Sequence, residues 1–297
     1  MPAPLSPTGL RRRLLALTLA AGSVAAVAVS AAPADAARTG TASVDGAEVS
    51  CTSQTAHLAP RLAKDIAGAL HGRQGTSALA LDEPDTATHC TLRGETPFDS
   101  ASVVKVTVLA TLLRHAQEEH RGLTAHEKSL ATAMITRSDN DSTSALWKQL
   151  GPDSVRRFLH LAGMRHTVPP SGGTWGLTQI TAADQLRLLH LLTGDNTVLS
   201  AASRHYALGL MHRVEPSQRW GVPAGAPAGE RVYLKNGWLP RSSGGWRVHS
   251  VGAFSGGGHS YELAALTGGD RTMQYGIGTV EAAARVIHRD LAAADRP

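Results

Sequence analysis

The chain of 297 residues is poor in aromatic residues, at 4%, and has only two cysteines, Cys51 and Cys90. With so few rings the core must be built from Ala, Val, Leu and Ile, and 42% hydrophobic residues supply enough for one large domain or two small ones. Neither C-x-x-C nor H-E-x-x-H occurs and the histidines are scattered, so no contiguous metal-ligand motif is present. His126-Glu127 is followed by Lys-Ser-Leu without a second histidine and reads as a solvent-facing pair. Lysine is also scarce, at Lys64, Lys105, Lys128, Lys148 and Lys235 only. No Lys/Arg block with interleaved aromatics exists, which excludes nucleic acid as an expected partner.

The first 36 residues read as an export signal. Arg11-Arg12-Arg13 is a positive n-region, Leu14 to Ala32 an apolar stretch too short and Ala-rich for a membrane span, and Ala34-Asp35-Ala36 an A-x-A cleavage site. The arginine run suits Sec export or the twin-arginine route. No cysteine lies at the cleavage site, so the expectation is a secreted, extracellular protein, residues 37–297, with no stable membrane anchor. Without Arg11–Arg13 and Asp35 the formal charge falls from +5 to +3, a mixed solvated surface. In an oxidising compartment an even pair of cysteines is expected to form a disulfide, Cys51–Cys90.

Periodicity predicts a helix over Ser53–Arg73, strands at Ser77–Leu81 and His89–Arg93, and an apolar helix over Val103–Gln117. Helices interrupted at Gly122, Gly151-Pro152 and Pro169–Gly173 follow as far as Val214. Arg231–Leu239, Trp246–Phe254 and Tyr261–Leu266 read as adjacent antiparallel strands, and Thr279–Ala294 as a closing amphipathic helix. The expected architecture is an α/β (α+β) domain. Its antiparallel sheet, at about residues 50–98 and 228–297, is formed by both chain ends, is covered by terminal helices and carries an inserted all-α lobe at about 99–227.

Against that frame three short patches stand in order: Ser102-Val103-Val104-Lys105, Ser138-Asp139-Asn140 and Lys235-Asn236-Gly237. Ser102 at a helix start and Lys105 at i+3 share a face. A serine hydroxyl needs a base, and lysine can serve if burial and a nearby positive charge, here Lys235, lower its pKa. The helix N-terminus favours an oxyanion, with the Ser102 N–H as one donor and the Trp238 N–H as the second. Gly237 permits close backbone approach. Ser138 can relay a proton between Lys235 and a leaving nitrogen, and Asn140 can hold a substrate amide. Singly, these patches are a helical serine near a lysine, a cap and a turn. Together, in order and in matching structural contexts, they specify a serine acyl-transfer site.

By these motifs the chain resembles the class A β-lactamase-like and penicillin-binding serine hydrolases, as found in exported actinobacterial proteins, over residues 50–295. The resemblance implies a β-lactamase/D,D-peptidase-like fold, with Ser102 as nucleophile, Lys105 as its base, Ser138 as proton shuttle, Asn140 as substrate anchor and Lys235 as partner of a substrate carboxylate. It implies a small-molecule β-lactam or a peptidoglycan-type peptide as substrate and no cofactor, and the expectation for the chain is a monomer. Two departures qualify it. Asn236 stands where Thr or Ser is usual, and an amide rather than a hydroxyl would then donate to that carboxylate. Residues 165–178, where class A enzymes carry the deacylating Glu, contain no carboxylate. His166 is the substitute base on offer there, and Trp175 and Trp238 are candidate walls of the groove. Acylation of Ser102 with slow release is therefore expected, and D,D-peptidase-like or esterase activity fits the same residues. The alternative is a non-catalytic binder of β-lactams or wall peptides, which would need neither Lys105 nor Ser138.

Overall fold

The computed structural model describes residues 38–172, 174–256 and 259–294. The expected export signal, residues 1–36, lies outside the described residues.

The chain enters through a hairpin, β1 (Arg38–Val44) and β2 (Ala47–Ser53), joined at Asp45-Gly46, both in the positive-φ region. An Asp-Gly pair with φ positive at both residues suits a two-residue hairpin loop. Strand β1 and the first half of β2 precede the expected start of the sheet, because their buried positions are mostly small residues (Gly40, Val44, Val49, Cys51, Ser53) that make a weak apolar alternation, and Asp45-Gly46 is their one sharp signal. The first helix, α1 (Leu58–Leu70), consequently starts later than Ser53, whose hydroxyl instead bonds the Thr88 hydroxyl at 2.7 Å. Leu58, Leu62, Ile66 and Leu70 form its buried stripe.

Strands β3 (Thr76–Glu83) and β4 (Thr88–Leu92) follow, then β5 (Phe98–Asp99), which pairs with β6 (Gln179–Ile180) in a separate two-stranded sheet. The helical block holds α2 (Val104–Glu118), α3 (Ala125–Thr136), α4 (Asn140–Leu161), α5 (Ala182–Thr193) and α6 (Ala201–His212). Gly151, at φ 69° and ψ 165°, breaks α4 just before Pro152, the interruption that Gly-Pro implies. The chain ends in β7 (Arg231–Pro240), β8 (Trp246–Gly256), β9 (His259–Asp270) and α7 (Met273–Ala294).

Seven strands make one antiparallel sheet in the order β1-β2-β4-β3-β9-β8-β7. Both chain ends thus contribute to a single sheet. On it α1 packs against β1, β2 and α7, while α5 contacts β3 and β9 and α6 contacts β7. Helices on both faces explain why β9 is a nearly continuous buried run rather than an alternation. Cys51 of β2 faces Cys90 of β4 as a direct cross-strand partner, and the two are disulfide-bonded with Cα atoms 4.1 Å apart. No helix among the described residues is long and apolar enough to cross a membrane.

The pairing of His126 with Glu127 as solvent-facing residues is corrected. His126 is exposed, but Glu127 is buried. It accepts from Arg121 at 2.8 and 3.0 Å, from the Thr124 N–H at 2.8 Å and from Gln149 at 2.7 Å. The Arg121 bonds hold its carboxyl down at about 2. Thr124-x-x-Glu127 is a capping box, in which the third helical residue turns back onto the helix start instead of outward.

Candidate active site

The first turn of α2 is preceded by a 3₁₀ turn, Ala101–Val103, which carries Ser102. Ala101 has φ 47°, a conformation costly for any residue but glycine. The turn is held by its neighbours: the Ser100 N–H bonds the Thr178 carbonyl at 2.8 Å, and the Val103 N–H bonds the Ser100 carbonyl at 3.1 Å. Strand β7, the last strand in the sheet order, lies directly against it. A Cβ at Gly237 would sit 2.9 Å from the Ser102 and Val103 nitrogens and 3.0 Å from the Ser100 carbonyl oxygen, so only glycine lets the two backbones approach this closely.

Lys105 is fully buried. Its ammonium donates to the Ser138 carbonyl at 2.5 Å, the Ser138 hydroxyl at 3.0 Å and the Asn140 Oδ1 at 2.8 Å. Lys235, also fully buried, donates to the same Ser138 hydroxyl at 3.0 Å and to the Asn236 carbonyl at 2.9 Å. Ser138 is held at φ 57°, the second strained residue of the site. Asp139 caps α4 by accepting from the Ser142 N–H at 2.7 Å, which leaves Asn140 exposed at the first helical position.

Electrostatics follow from burial. Desolvation lowers the Lys105 amine from 10.5 to about 8, against the pull of Asp139. Desolvation lowers Lys235 well below its ordinary range, with the Lys105 charge adding to the effect and Glu215 opposing it. With both lone pairs of its oxygen facing lysines, the Ser138 hydroxyl keeps its own hydrogen for a third partner. Two lysines of lowered basicity around one hydroxyl form a short route for a proton.

Asn236 departs from its expected role. It is fully buried, and both amide hydrogens are spent on the carbonyls of Gln218 and Trp220, each at 2.8 Å. Alternation along β7 turns it away from the side on which Lys235 meets Ser138. No donor remains on Asn236 for a substrate carboxylate, so that part of its assignment is corrected. Instead it ties the segment before β7 to the strand.

The carboxylate-free stretch reaches the site through Trp175. Its ring lies 4.8 Å from the Lys105 Nζ, and its indole N–H bonds the Ser144 hydroxyl at 3.1 Å. The Ser100 hydroxyl lies 3.3 Å from the Gly176 carbonyl, joining this stretch to the turn that bears Ser102. His166 is exposed, and its backbone N–H is bonded to Asp184 at 2.8 Å. Trp238 meets Trp220 edge-on, with centroids 5.9 Å apart. Trp220 and Ser100 were not singled out from sequence: neither belongs to a spaced motif, and only the fold brings them here.

The profile of the Beta-lactamase enzyme family matches residues 122–291, and the chain belongs to that family. Its fold is that of the class A β-lactamases. A β-lactamase from Xanthomonas campestris pv. campestris superposes with a TM-score of 0.68 at 18% identity, covering 79% of this chain and 98% of that one. One from Sphaerobacter thermophilus gives 0.67 at 21% identity, covering 80% and 98%. Among curated proteins, "Putative lipoprotein LppW" of Mycobacterium tuberculosis is 28% identical over 160 residues, 52% of this chain. The chain spans about half, 51%, of the length of these curated relatives.

Proposed function

We propose that the protein is an exported serine hydrolase that acylates Ser102 with a β-lactam or a related amide or ester and releases the acyl group slowly. The observation that carries this reading is the Ser138 hydroxyl held 3.0 Å from the Nζ atoms of two buried lysines, Lys105 and Lys235. In its neutral form Lys105 takes the Ser102 proton as the hydroxyl attacks the carbonyl carbon. The Ser102 and Trp238 N–H groups receive the oxyanion as the tetrahedral centre forms. Ser138 then passes a proton to the leaving nitrogen or oxygen, drawing on Lys105 or Lys235, and the scissile bond breaks. Asn140 offers its exposed amide hydrogens to the substrate. Lys235 supplies the positive field at the end of the groove.

Release is slow in this reading because the stretch beside Lys105 presents the face of Trp175 where a water-activating carboxylate would be needed. Export fits the disulfide and the word lipoprotein in the relatives' name. Cys51 and Cys90 are joined to each other, so neither is free to carry a thioether-linked lipid.

The test is intact-mass spectrometry of the protein during incubation with a fluorescent penicillin and a chromogenic cephalosporin. One covalent adduct that persists over many minutes, and is absent from Ser102→Ala, is expected. Replacing His166 with Ala should leave the adduct lifetime unchanged. Adduct formation that survives Lys105→Ala overturns the assigned base, and no adduct with any β-lactam or activated ester overturns the reading.

A further inference from the structure

Away from Ser102, the sheet gathers a second set of chemical groups. Register aligns His89 of β4 with Asp82 of β3, and Asp82 with Glu262 of β9. Directly paired residues share a sheet face, so the three side chains stand in one row across three strands. Helix α5 lies over β3 and β9 and brings His190 to the row. One ligand atom from each of Asp82, His190 and Glu262 lies within 4.8 Å of the other two. The His190 Nδ1 is 4.0 Å from one Asp82 oxygen, and the His89 Nδ1 contacts the other.

Glu262 points to a ligand independently of that cluster. It is only 3% exposed, and its Oε1 accepts from the Thr193 hydroxyl at 2.6 Å. Its Oε2 is buried with no hydrogen-bond partner among the described residues. An orphaned carboxylate oxygen is costly in a protein interior, all the more beside a second carboxylate. Burial, and after it the charge of Asp82, pushes the Glu262 carboxyl above its ordinary range. A cavity of about 490 Å³, lined in part by Asp82, His89, Arg187 and His190, opens onto the group.

We propose that Asp82, Glu262 and His190, with His89 bracing Asp82, form a binding site for a divalent transition-metal cation of the zinc type. Two carboxylates balance a double positive charge, and an imidazole selects zinc-like ions over calcium or magnesium. The contact of His89 with Asp82 is the outer-shell hydrogen bond that orients a ligating carboxylate. The absence of any contiguous metal motif is no obstacle, since strand register rather than spacing assembles the set. The site is structural: it fastens α5 to β3 and β9, and α5 carries Asp184, which anchors His166 and Thr167 at the start of the stretch that ends beside Lys105.

The test uses chelator-treated full-length protein titrated with zinc sulfate by calorimetry, with thermal unfolding in parallel. Binding of one ion per chain and a melting temperature that rises with zinc concentration are expected. Exposed His190 changed to Ala should abolish or strongly weaken binding, and His89→Ala should weaken it about tenfold. His205→Ala, an exposed histidine outside the group, should bind as wild type does. Circular dichroism of metal-free His190→Ala checks that it is folded. Absence of one-to-one binding by wild type overturns the proposal, as does unchanged binding by folded His190→Ala or by Asp82→Asn. Because the readout is zinc affinity, these outcomes do not depend on whether Ser102 is acylated.

Discussion

Desolvation of Lys105 makes a prediction that needs no knowledge of the substrate. In the folded protein the amine sits at about 8, whereas in the unfolded chain it returns to 10.5. A folded pKa below the unfolded one means that between these values the unfolded chain binds more protons, so stability rises with pH across that window. Below about pH 7 both states are charged and the full cost of burying the ammonium, about 3 kcal/mol, is carried. By pH 10 most of it is gone. Relative to Lys105→Met, which keeps the volume and removes the charge, wild type should gain about 2–3 kcal/mol between pH 7 and pH 10. The three bonds of the ammonium to Ser138 and Asn140 favour the charged form, so they oppose desolvation and narrow this window. Urea unfolding at both pH values, followed by tryptophan fluorescence, measures the gain. Equal pH slopes for the two proteins would show that Lys105 is not desolvated, and the argument for it as a base would fall. The same lowered pKa predicts acylation that rises with pH to a midpoint of about 8.

Three further outcomes follow from the geometry. Gly237→Ala places a methyl 2.9 Å from two backbone nitrogens and should cost about 1–3 kcal/mol in stability while slowing acylation about a hundredfold or more, read by urea unfolding and adduct formation rate. Asn236→Ala removes the donors to the Gln218 and Trp220 carbonyls and should destabilise the fold by about 1–3 kcal/mol; an effect confined to substrate affinity, with stability unchanged, would restore it to substrate binding. Replacing Cys51 and Cys90 with Ser opens a link across 39 residues and should cost up to about 4 kcal/mol, read as a lower urea midpoint.

Legibility from sequence tracks locality. The three-residue spacing of Ser102 and Lys105 is a property of the chain itself. The stripe of α1, the Gly151-Pro152 break and the strands around Glu83-Pro84-Asp85 are likewise set within a few residues, and so could be read. The β1–β2 hairpin was missed because its buried positions are mostly small residues with a weak apolar alternation, and it joins the sheet only through the pairing of β2 with β4. Glu127 was misread because the pair was weighed as a metal motif, although Thr124 three residues earlier marks a capping box.

What the sequence determined alone is therefore the inventory and order of the groups proposed to react: one serine three residues before one lysine, a polar corner, a lysine before a glycine on a strand, and two cysteines for one bridge. Tertiary structure decided how those groups behave. Whether Lys105 and Lys235 lose basicity depends on burial by residues far away in the chain. The turning of Asn236 from substrate toward Gln218 and Trp220 depends on which face of β7 meets which loop. The laying of Trp175 beside Lys105, and the row of His89, Asp82 and Glu262, are likewise products of packing and register. Desolvation and facing are properties of neighbours in space, and the sequence lists neighbours only along the chain.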